Sequence, residues 1–137
     1  MARVYRLMRK DADGLPLVEQ SANGLGVREG KDVDVDSDGF VIANDKGMSV
    51  YSNWREVSPY MIPKRLEDRF YGAKGSNSRH VFRRGEGPFE RGPFADGLSL
   101  VLDSKTHGVV VPSETMSLSD YQAALAETRT TWIEDEA

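Results

Sequence analysis

The apolar residues of this chain come in short runs closed off by turn signals, and only one stretch keeps helical spacing. That pattern argues against a helical bundle or a doubly wound sheet, both of which need repeated helical periods. The runs are Arg3 to Met8, Met48-Ser49-Val50-Tyr51, His80-Val81-Phe82-Arg83, Leu98-Ser99-Leu100-Val101-Leu102 and Val109-Val110-Val111. Their β-branched and aromatic residues suit strands. Lys10 to Gly14, Asn44-Asp45-Lys46-Gly47 and Asp103 to Gly108 supply turns between them, the last joining two strands as an antiparallel pair. Asp36-Ser37-Asp38-Gly39, set between Val33/Val35 and Phe40-Val41-Ile42, predicts a hairpin. Gly24, Gly26 and Gly30 argue for loops from Leu15 to Val35, and Pro59 and Pro63 break the stretch after Tyr51.

The helical stretch comes last. Ser117 is a good N-cap with Asp120 three residues on, and Leu118, Tyr121, Leu125, Thr128 and Trp132 share one face. The acidic residues 134–137 are expected to fray. The fold class that follows is α+β: a small, mainly antiparallel sheet with long loops and a C-terminal helix. A chain of 137 residues fits a single domain over 1–137. An apolar fraction of 39% against 29% charged residues places it among globular chains, not disordered ones.

Cysteine is absent, which removes thiol nucleophiles, disulfides and cysteine metal sites and favours a reducing compartment. No apolar run nears the ~20 residues that cross a bilayer, and Met1 to Arg6 lacks the apolar stretch of a secretory signal. The expected location is cytoplasmic, with no membrane contact, and export by a machine needing no cleavable signal stays open.

Charge is uneven. Between Lys64 and Arg91 lie eight basic residues against four acids, a net of +4, leaving −8 on the rest of a chain of net charge −4. Such an island suits an anion or an acidic partner, or is simply a solvated basic surface. The overall acidity argues against generic nucleic-acid binding.

Most chemical motifs fail on context. Asp34-Val35-Asp36-Ser37-Asp38-Gly39 matches the opening of an EF-hand loop, but Asp45 stands at the twelfth position and no amphipathic helix flanks it. It is read as an acidic turn, and no metal is expected. His80 and His107 lack partners at ligand spacing. No nucleophile elbow or Walker loop is present, and Gly72-Ala73-Lys74-Gly75-Ser76-Asn77 lacks the strand-loop-helix setting of a phosphate loop.

Three scattered residues gain interest together. Arg6 lies inside the first strand, where a guanidinium is costly to bury without a partner. Ser49 sits in a short strand, and Glu114 follows Val109-Val110-Val111. An arginine for phosphate, a serine lining the ribose or nicotinamide side and a carboxylate for an oxocarbenium ion would suit ADP-ribosyl transfer. Each residue alone is more simply a surface arginine, a satisfied hydroxyl and a solvated acid.

Several stretches resemble a family of small bacterial type VI secretion effector toxins with an ADP-ribosyltransferase-like fold. They are Val4-Tyr5-Arg6, Gly47-Met48-Ser49-Val50-Tyr51, Ile62-Pro63-Lys64-Arg65-Leu66, His107 through Pro112, Met116-Ser117-Leu118 and Tyr121 to Leu125. The resemblance implies NAD as substrate, with Arg6 at its phosphates, Ser49 lining the nicotinamide side, Tyr51 as a further cofactor-binding residue, and Arg6, Ser49 and Glu114 as the catalytic set. The Glu/Gln-x-Glu pair of many transferases is missing. It also implies a cognate immunity or antitoxin protein, for which the 64–91 segment is a candidate face. Two further readings stay open. One is a non-catalytic binding protein, such as an immunity protein, adaptor or secretion chaperone, using exposed Tyr51, Trp54, Tyr60 and Phe70. The other is a nucleic-acid-associated domain using Arg79, Arg83 and Arg84 beside Phe82 and Phe89.

Overall fold

The computed structural model describes residues 1–137 as a small α+β protein. Its strands are β1 (Val4–Arg9), β2 (Met48–Tyr51), β3 (Arg79–Arg84), β4 (Gly92–Ala95), β5 (Leu98–Leu102), β6 (His107–Pro112) and β7 (Ile133–Glu134). They form one sheet in the order β4-β5-β6-β2-β1-β3-β7, antiparallel at every pairing. β5 and β6 pair as the turn at Asp103 to Gly108 predicts, from Leu98 opposite Pro112 to Leu102 opposite Gly108.

Strand alternation sends apolar side chains to both faces of this sheet. On one face Val4, Met8, Met48, Val50, Phe82, Leu98, Leu100 and Val110 meet Leu25, Val27 and Val33 from the loops and Tyr121, Leu125 and Trp132 from the C-terminal end. On the other, Tyr5, Leu7 and Val81 pack against Trp54, Val57, Ile62, Leu66 and Ala73. β1 is therefore buried on both sides from Val4 to Met8, with Arg6 the one charged residue in that stretch.

Helix α1 (Leu118–Glu127) starts where its cap predicts, with the Ser117 hydroxyl accepting from the Asp120 N–H at 3.1 Å. A 3₁₀ turn, Thr128–Thr131, continues the chain to Trp132, whose indole N–H donates to the Thr128 hydroxyl at 3.0 Å. Tyr121 fastens the helix to the sheet: its hydroxyl accepts from Met48 N–H at 3.1 Å and donates to the Val110 carbonyl. Gly47 makes this approach possible, because a side chain there would collide with the Val110 carbonyl and the Tyr121 hydroxyl.

The hairpin expected at 33–42 is present in minimal form: Val35 bridges Val41 antiparallel, with Asp36 N–H donating to the Phe40 carbonyl and Ile42 N–H to the Asp34 carbonyl, both at 2.9 Å. The structure corrects other expectations. Trp54 is 1% exposed, because a 3₁₀ turn (Trp54–Glu56) tucks it under β1, so it is core and not a surface aromatic. Residues 134–137 are not frayed: β7 adds to the edge of β3, and the acids after it are ion-paired. No helix is long and apolar enough to cross a membrane.

Candidate functional site

The sheet has one weak seam, and the candidate site lies in it. β1 pairs with β3 over six residues but with β2 only at Tyr5 opposite Tyr51. Beyond that pair a cavity of about 150 Å³ is lined by Arg6, Leu7, Ala22, Arg28, Asp32, Met48, Ser49, Tyr51, Val57 and Met61. Arg6, Ser49 and Tyr51, which are not adjacent in sequence, thus share one small hollow of mixed, mainly apolar lining.

Arg6 is 6% exposed and has no carboxylate within ion-pair distance. Its Nη1 donates to the Ser49 main-chain carbonyl at 2.8 Å, bridging the seam where a ladder bond is missing. Its Nε and Nη2 donate to the Gly24 carbonyl at 3.2 and 2.9 Å, and Nη2 reaches the Ser21 carbonyl at 3.4 Å. Burial lowers its pKa to about 10, so it stays cationic at neutral pH. Three of its N–H groups hold the 19–26 loop and one holds β2, leaving the second N–H of Nη1 outside these bonds.

The cavity contains an acid that sequence reasoning passed over. Gly30, at φ 81°, closes a turn that brings Asp32 back to Arg28. The Asp32 carboxylate accepts from Arg28 Nε and Nη2, both at 3.0 Å, and from the Arg28 main-chain N–H at 2.7 Å. Burial works against its ionisation, but those bonds and the charges of Arg28 and Arg6 outweigh it and lower its pKa. The only sequence signal was the Arg28/Asp32 spacing around a glycine. Tyr51 stands half-buried at the rim, its ring edge-on to His107 at 5.0 Å, and burial raises the pKa of its phenol.

Glu114 is not part of this arrangement. It lines a separate hollow of about 340 Å³ with Val41 to Lys46, Val111 to Ser113 and Thr115. A shallower trough of about 190 Å³ continues outward from the cavity, sharing Asp32 and Ser49 and adding Lys31, Asp45, Lys46, Gly47 and Val109.

The remaining candidates resolve into local structure. Asp34 is held by Lys46 at 3.0 Å and Asn44 at 2.6 Å, and Asp36 accepts from the N–H groups of Asp38 and Phe40, so the acidic run is a self-satisfied turn. The loop at Gly72 to Asn77 is pinned by Gly75 N–H to Ile62 and by Arg65 N–H to the Asn77 side chain. His80 lies within 4.8 Å of Glu134 and Glu136, yet Lys10 and Arg65 already neutralise those carboxylates. The nucleic-acid reading loses its residues. Phe82 is fully buried, Arg84 is stacked on Phe94 and bonded to its carbonyl, Arg79 donates to Asn23, and Arg83 is paired with Asp135 and Glu86.

Fold and site together define a small α+β protein with an antiparallel sheet split at its centre by a mainly apolar cavity that carries Arg6, Arg28, Asp32 and Ser49. No protein-family model, curated protein or solved structure matches the chain.

Proposed function

We propose that the chain is an NAD-binding, ADP-ribosyltransferase-like domain acting as an intracellular bacterial toxin, with the nicotinamide end of NAD seated in the seam between β1 and β2. The observation that carries this reading is the convergence of Arg6, Ser49 and Tyr51 on one cavity. Its volume of about 150 Å³ is below the roughly 300–1,000 Å³ of pockets that enclose a whole drug-sized ligand. One ring would enter, and the rest of the dinucleotide would lie along the outer trough. The toxin role comes from the resemblance of the β1, β2 and C-terminal segments.

In transfer, the ribose–nicotinamide C–N bond breaks and its electron pair leaves with the ring nitrogen. Positive charge then builds on the ribose, where a fixed carboxylate stabilises it until a nucleophile of the acceptor bonds to that carbon and gives up its proton. Asp32 is the ionised acid facing this cavity, so it takes the role expected of Glu114. Tyr51 supplies a ring edge for packing, and the spare Arg6 N–H a donor.

Calorimetric titration of NAD tests the reading. Wild type is expected to bind, Tyr51→Ala to bind about tenfold more weakly, and Asp32→Asn to bind while releasing nicotinamide at least about a hundredfold more slowly. Absence of binding to wild type would sink it. The commitment of Arg6 to main-chain carbonyls favours a second reading, a binding protein without catalysis. Induced expression in bacterial cells separates the two, since only the toxin arrests growth.

A further inference from the structure

Residues 133–137 behave as a ligand joined to the protein by a tether. Trp132, 2% exposed, is the last core side chain, and Ile133 beyond it is 55% exposed. From there the chain runs extended along the free edge of β3, pairing Ile133 with Arg83 and Glu134 with Phe82. Asp135 N–H then donates to the Val81 carbonyl at 2.9 Å.

Every acid in this segment meets a cation supplied from elsewhere. Glu134 takes Lys10 at 3.1 Å. Asp135 takes Arg83 Nε at 2.9 Å. Glu136 takes both Arg65 terminal nitrogens, at 2.5 and 2.8 Å, and the Val81 N–H at 3.1 Å. The Ala137 main-chain oxygen accepts from the Trp54 indole at 3.1 Å and Arg55 at 3.4 Å.

The donors are fixed independently of what they hold. Trp54 is core, Arg55 lies over its ring at 4.2 Å, and Arg65 also donates to the Arg79 carbonyl at 2.7 Å. Sheet edge and cations together make a preformed groove for an extended acidic chain, the strand-addition mode of peptide recognition. Its resident occupant leaves easily. The ion pairs are partly exposed and such pairs are individually weak, and an incoming strand would restore the bonds that release takes from the Trp54 indole and the Val81 main chain.

We propose that the β3 edge is a docking groove for an extended acidic segment of a partner protein, which displaces residues 133–137 when it binds. Charge complementarity selects the occupant: consecutive carboxylates opposite Arg83 and Arg65, on a main chain free to pair with β3. The groove lies apart from the β1–β2 cavity and does not depend on what that cavity holds.

The test uses the full chain and a labelled Ile-Glu-Asp-Glu-Ala peptide, followed by fluorescence anisotropy. A tethered occupant competes at an effective concentration in the millimolar range. The Asp135→Asn/Glu136→Gln variant, whose own segment is weakened, should bind the peptide about fivefold or more tighter than wild type. Added salt should weaken that binding. Equal affinity for the two proteins, or equal binding of Ile-Gln-Asn-Gln-Ala, would overturn the proposal. A second measurement avoids substitution altogether: excess peptide on the wild-type protein should speed hydrogen exchange at the Asp135 amide. Unchanged exchange there would refute displacement.

Discussion

Replacing Arg6 is the sharpest test of how the seam is built. Three main-chain carbonyls, at Ser21, Gly24 and Ser49, depend on its guanidinium. A bond from a charged donor is worth about 1.5–3 kcal/mol net, and an orphaned buried acceptor costs its full desolvation. Part of that loss is returned, because burial of the charge, which lowers the Arg6 pKa to about 10, is itself unfavourable. For Arg6→Lys the balance is a loss of about 3–5 kcal/mol, since one ammonium cannot reach acceptors on both the loop and β2.

Urea unfolding reads this directly. With a slope of about 2 kcal/mol per molar, the midpoint should fall by about 1.5–2.5 M. Hydrogen exchange at Leu25, whose N–H donates to the Leu17 carbonyl at 2.8 Å, should rise as the loop loosens. An unchanged midpoint in Arg6→Lys would refute the structural role and return Arg6 to the ligand. The same logic makes Arg6→Ala a poor probe of NAD binding, since binding lost through a collapsed cavity says nothing about contact.

Three further outcomes follow from the geometry. Tyr121→Phe removes the hydroxyl between Met48 N–H and the Val110 carbonyl and should cost about 1–3 kcal/mol in thermal melts, with unchanged melting counting against the bridge. Gly47→Ala drives a methyl into the same spot and should cost about 1–3 kcal/mol by overpacking, with wild-type stability as the contrary result. Glu136 is opposed by burial but held by Arg65 and the Val81 N–H, and its folded pKa is lowered. Its contribution is therefore present above the unfolded value near 4.3 and lost as pH falls through the folded one. Glu136→Gln should flatten the acid dependence of stability below about pH 4.5, and an unaltered profile would argue against the pairing.

Strands with a buried face were legible because alternation survives in short runs: β2 and β5 fall on the expected residues, and β1, β3 and β6 differ by a residue or two at their ends. The cap at Ser117 and the face through Tyr121, Leu125 and Trp132 were legible for the same reason, being local. β4 and β7 were not. Gly92-Pro93-Phe94-Ala95 reads as a turn, and Ile133-Glu134 is too short to show a period. β7 exists because arginines some fifty residues or more earlier in the chain hold it, and separation of that kind leaves no periodic trace. The basic island and the acidic end were each visible, but only the fold shows that much of one neutralises the other.

The site was half legible, for a reason that lies in the seam. Arg6, Ser49 and Tyr51 fall on adjacent strands, so once β1 and β2 neighbour each other their meeting needs no further information. The acid is a different matter. Glu114 follows β6, and β6 lies on the far side of β2 from β1, so the loop after it faces the turn at 41–46 and not the seam. Asp32 reaches the cavity through the turn closed by Gly30, and that turn borders a cavity only because β1 and β2 pair at a single position. Had the two strands paired along their length, Ser49 would have found a ladder partner and Arg6 would have had no gap to bridge. The missing pairs thus create at once the cavity and the need for a buried arginine beside it.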